Sequence, residues 1–75
     1  MAWNYRVFKT LERVAPNETE DCLTLRVVLY NKNGVKQSYS ENESYPSGIT
    51  IEELKEDLQN MLLALDKPIL TDKDF

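Results

Sequence analysis

Pro46-Ser47-Gly48-Ile49-Thr50-Ile51-Glu52-Glu53-Leu54, closed by Leu65-Asp66-Lys67-Pro68-Ile69-Leu70, marks both ends of one helix. Thr50 followed by Glu53 is the capping-box pattern, in which each side chain satisfies the other residue's backbone N–H. Ile49 and Leu54 fall at the two positions of a hydrophobic staple. At about 100° per residue, Ile51, Leu54, Leu58, Met61, Leu62 and Leu65 form one apolar stripe. Glu52, Glu53, Glu56 and Asp57 at the start and Lys67 after the end suit the helix macrodipole, and Pro68 stops the helix. A helix over about 50–66 is therefore predicted, with a stripe that needs a sheet beneath it. Leu63 points away from that stripe, among Glu56, Gln59 and Asn60, which makes it a candidate interface residue.

Upstream the period changes from helical to alternating. Trp3, Tyr5, Val7 and Leu11 lie on one side of a first strand over about 3–11, with Asn4, Arg6, Phe8 and Thr10 on the other. A second strand over about 22–30 places Leu23, Leu25, Val27 and Leu29 on one face and Thr24, Arg26, Val28 and Tyr30 on the other. Residues 12–21, with Pro16, Asn17 and the acidic Glu12, Glu18, Glu20 and Asp21, have loop composition.

Asn31-Lys32-Asn33-Gly34 allows two turns. A two-residue Asn-Gly loop would pair Leu29 with Ser38. A three-residue loop with Gly34 in the left-handed region pairs Asn31 with Val35 and puts Val35, Gln37 and Tyr39 on the leucine face, the apolar choice. The third strand then covers about 35–40, and Thr71 to Phe75 reads as a frayed tail. The expected fold is α+β: a three-stranded antiparallel meander (β-β-β-α), one domain over 1–75, with one amphipathic helix packed on one sheet face.

Seventy-five residues bound what such a fold can do. A domain of this size buries only about 60–65 % of its unfolded surface and commonly needs a staple. Cys22 is the single cysteine and the chain has no histidine, so neither a disulfide nor a structural zinc site is expected within it. Oligomerisation is the remaining staple. The net charge of −4 opposes nucleic-acid binding, and no apolar run resembles a signal peptide or a membrane span, so cytoplasmic residence is expected.

Catalytic chemistry finds little to work with. Cys22 lacks a basic neighbour, since Arg26 is roughly 13 Å along the strand by residue rise. Glu52 and Glu53 open a solvated helix, Glu41 and Glu43 lie in a polar loop, and Asp72-Lys73-Asp74 lacks the oxygen spacing of a calcium loop. No enzyme activity, cofactor or metal is expected. Trp3 and Tyr5 sit on the side that meets the helix, which removes them from any base-stacking platform.

One helix cannot cover both sheet faces. Phe8, Arg26, Val28 and Tyr30 on the outer face, together with Leu63, are therefore the expected interface of a homodimer, unless the tail folds across that face instead. The reading is a non-catalytic protein-interaction module. The alternative is an antitoxin- or inhibitor-like regulator that covers a basic partner site with its acidic surface.

The chain resembles a small group of uncharacterised bacterial proteins in Trp3-Asn4-Tyr5-Arg6-Val7, in Tyr30-Asn31-Lys32-Asn33-Gly34, and in Ser47-Gly48, Glu52-Glu53-Leu54-Lys55, Met61-Leu62 and Lys67-Pro68-Ile69-Leu70. That resemblance implies the same strand-strand-strand-helix order and no known activity. Gly48, Thr50, Glu52 and Glu53 are also similar to the helix opening of HicB-type antitoxins, which is what the regulatory alternative rests on.

Overall fold

In the computed structural model, which describes residues 2–75, the first two strands run further than their composition announces. Strand β1 spans Ala2–Ala15, β2 Glu18–Tyr30 and β3 Lys36–Tyr39, followed by helix α1 at Ile51–Ala64 and a 3-10 turn at Asp72–Asp74. The sheet is antiparallel in the order β1-β2-β3, and α1 packs against it, so the fold is α+β as expected. Residues 12–21 are not a loop. Leu11 pairs with Asp21, Glu12 with Glu20 and Arg13 with Thr19, and after a bulge Ala15 pairs with Glu18. Pro16 and Asn17 alone make the turn, a pair suited to it because proline presets φ and asparagine bonds its own backbone. The acidic residues that imitated a loop stand exposed on a ribbon.

The second turn has the three-residue geometry. Gly34 takes φ 77° and donates its N–H to Asn31 O at 3.0 Å, and Asn31 N donates to Val35 O at 3.0 Å. Asn31 Oδ1 adds bonds from Asn33 N (2.9 Å) and Val35 N (3.0 Å), which close the turn locally. Yet the pairing beyond it is the rejected one, Leu29 with Ser38 and Val28 with Tyr39, because a bulge follows Tyr30↔Lys36. That extra residue turns Tyr39 away from the leucine face and onto Phe8, with ring centroids 4.6 Å apart.

At the helix start Thr50 Oγ1 accepts from Glu53 N at 3.1 Å. Glu53 returns the bond one residue further back than a capping box, to Ile49 N at 2.8 Å. The staple is absent, since Ile49 is 95 % exposed. A Cβ on Gly48 would lie 2.5 Å from Leu54 N, so the entering loop passes too close to the helix for any larger residue. The helix ends at Ala64 rather than Asp66, with Leu65 as its C-cap.

The helix does not seat on its leucine stripe. Met61 and Ala64 are buried and Leu54 and Asp57 half-buried, a seam against β1. Ile51, Leu58, Leu62 and Leu65 stay 76, 48, 65 and 61 % exposed, which corrects the expectation that they cover the leucine face. On the same seam Tyr5 on β1 donates its O–H to Asp57 Oδ1 at 2.6 Å, and Ser47 N donates to Asp57 Oδ2 at 2.9 Å, bonds consistent with this rotation of the helix.

Past Pro68 the chain wraps the edge of β1. Leu70 N donates to Val7 O and Lys9 N to Leu70 O, both at 2.9 Å, in a parallel bridge between Leu70 and Phe8. Residues 71–75 are not frayed. Thr71 Oγ1 accepts from Lys73 N, Asp74 Oδ2 accepts from Thr71 N, and the Phe75 ring lies 4.8 Å from Tyr39 and 5.7 Å from Phe8. The central core is Phe8, Val28 and Leu70, flanked by Tyr30 and Tyr39. The second of the two expectations for the outer face therefore holds: the tail lies across it.

Candidate functional site

Covering by the tail removes most of the expected interface. Phe8 and Val28 keep 1 % and 0 % of their surface, so neither offers area to another chain. Arg26 braces the loop after β3, donating from Nη1 to Ser40 O and Glu41 O and from Nε to Thr24 Oγ1. Tyr30 donates its O–H to Asn4 Oδ1 at 2.8 Å and accepts from Arg6 Nη1 at 3.2 Å. Of the five candidates only Leu63 is largely open, 59 % exposed beside Trp3 in a shallow cleft. Phe8, Val28 and Tyr30 form an apolar cluster opposite the helix, and the tail covers it first.

Trp3-Asn4-Tyr5-Arg6 is built to hold two elements to one strand. Alternation sends Tyr5 to the helix and Asn4 and Arg6 to the other face. Trp3 packs edge-on against Tyr5 at 5.3 Å. Buried Arg6 donates from Nη2 to Pro68 O at 2.8 Å, clamping the start of the tail, while its Nε has no hydrogen-bond partner. A buried charge held only by neutral oxygens costs stability, so the motif spends energy to fix the tail. Its role is structural.

Burial, then the hydrogen bond to Asp57 and its negative charge, push the Tyr5 hydroxyl up to about 12 from its ordinary 10.0. A raised folded value means the neutral phenol is favoured in the fold. Its contribution is complete below pH 10.0 and fades as pH rises towards about 12. Denaturant midpoints are expected to fall across that window more steeply for the parent than for Tyr5→Phe. Equal falls in both would show that Tyr5 is not linked to folding.

What remains open is the end of the leucine face towards the hairpin tip. Leu11 and Leu23 are 71 and 57 % exposed on the ribbon, and Leu58, Leu62 and Leu65 look out from the helix beside it. Between Leu23 and Leu65 runs a groove of about 440 Å³ walled also by Val7, Leu25 and Tyr45, while Leu11 borders the cleft under the tail. The sequence marks the leucines but reads the two rows as packed against each other, and it misses Tyr45, which lies in a loop of polar composition. A larger cleft of about 670 Å³ lies under the tail, where Arg26 and Lys73 alternate with Glu41 and Asp72 and no single charge dominates. Among the described residues no helix is long and apolar enough to cross a membrane. Comparison with family models, curated proteins and solved structures finds no match for the chain.

Proposed function

We propose that this chain is a non-catalytic protein-interaction module that self-associates through its leucine face and helix stripe. One observation carries the reading, an excess of surface. A compact monomer of 8.7 kDa exposes about 4,700 Å² by the size scaling of folded chains, whereas this one exposes 5925 Å². Its radius of gyration is 14.0 Å against about 11 Å for a compact domain of its length. Exposed Leu11, Leu23, Leu58, Leu62 and Leu65 give part of that surface an apolar character around the groove.

The surplus is about 1,200 Å² per chain; a dimer that buried all of it from both copies would hide about 2,400 Å², the scale of obligate homodimers rather than chance contacts. Six buried apolar residues make a small core, and association supplies what it lacks. Sedimentation of the full chain at micromolar concentrations is expected to give the mass of two chains. A single-chain mass throughout that range overturns the reading.

A further inference from the structure

Resting on that self-association, we infer that the hairpin tip, residues 10–23, is a clasp arm that lies across the helix stripe of a second copy of this chain. The arm pairs only with itself. Backbone bonds from the tail reach β1 no further than Lys9, and those from the loop reach β2 no further than Leu25. Beyond those points every residue from Leu11 to Asp21 except Ala15 is exposed. A free two-stranded hairpin is marginal in water, so this one needs a surface to lie on.

The two faces of the arm differ. Leu11 and Leu23 share the parity of Val7 and Leu25 and so continue the leucine face, set diagonally about the Lys9–Asp21 ion pair at 3.1 Å, while Glu12 stands opposite Glu20 on the other side. Glu12 and Glu20, like charges directly opposite one another, keep that other side in water. The arm therefore docks by its leucine side. Six residues from Thr10 to Ala15 reach about 20 Å at strand rise, past the groove of the same chain. A copy approaching the leucine face meets arm and groove together. About a two-fold axis each arm then covers the other chain's stripe, giving one self-complementary contact used twice.

The test mixes two variants of the full chain, both with Cys22→Ser, one carrying Leu11→Cys and the other Leu65→Cys. Mild oxidation is expected to give a disulfide-linked heterodimer in high yield, and Leu11→Cys mixed with Lys32→Cys is expected to give little. Two-chain sedimentation without the Leu11–Leu65 link would overturn the clasp and leave self-association standing. Single-chain sedimentation would overturn both. Equal linking in the two mixtures would also overturn the clasp, because it reports collision.

Discussion

Leu62→Glu is expected to give a folded monomer at concentrations where the parent is a dimer, with association weakened about 100-fold or more. Leu62 is 65 % exposed in the single chain, so the charge meets water there and the fold changes by no more than about 0.5 kcal/mol. In the proposed dimer the same position is covered. Losing one buried leucine costs about 1.5–3 kcal/mol, and symmetry counts it twice. About 3 kcal/mol already exceeds a hundredfold in affinity, before the cost of burying two carboxylates. Leu63→Glu, on the other side of the helix, is the control and should leave the dimer intact. If Leu63→Glu dissociates the chains and Leu62→Glu does not, the interface lies beside Trp3. Circular dichroism of both variants separates dissociation from unfolding.

Local rules found the elements and missed their partners. Thr50, Pro68, the Asn31–Gly34 turn and the alternation of both strands are short-range signals, and each appears where its residues place it. Residues 12–21 failed because charge on a free ribbon looks like charge in a loop: nothing local separates them once the ribbon packs on nothing. Tyr39 failed through a single bulged residue, which reverses parity and leaves no mark in composition. The helix stripe failed for a long-range reason. Its leucines have core periodicity, yet the seam that touches β1 is the one carrying Met61, Ala64 and the Asp57 carboxylate bonded to Tyr5, contacts made far along the chain. Sequence periodicity tells that a face is apolar, not whether its cover comes from the same chain. The candidate surface was therefore legible as residues and illegible as a site.

Leu70→Ala is expected to lower stability by about 2–5 kcal/mol, the largest loss among single truncations within the tail itself. Leu70 is 4 % exposed and closes a cluster of only three buried side chains, so the cavity it leaves has few neighbours to collapse into it. A domain this small holds on the order of 5 kcal/mol in total, which makes that loss a large share. The melting midpoint should fall by roughly 10 °C or more, since about 1 kcal/mol moves such a domain by 4–8 °C. Phe75→Ala, at a ring 39 % exposed, should fall less. Val28→Asp belongs to the same class, because a carboxylate at a position with 0 % exposure unfolds the chain and says nothing about association. The comparison must be made at one protein concentration, as association also raises the midpoint. Should Leu70→Ala melt with the parent, the tail contributes nothing to the core. The outer face around Phe8 and Val28 would then be open to a partner after all.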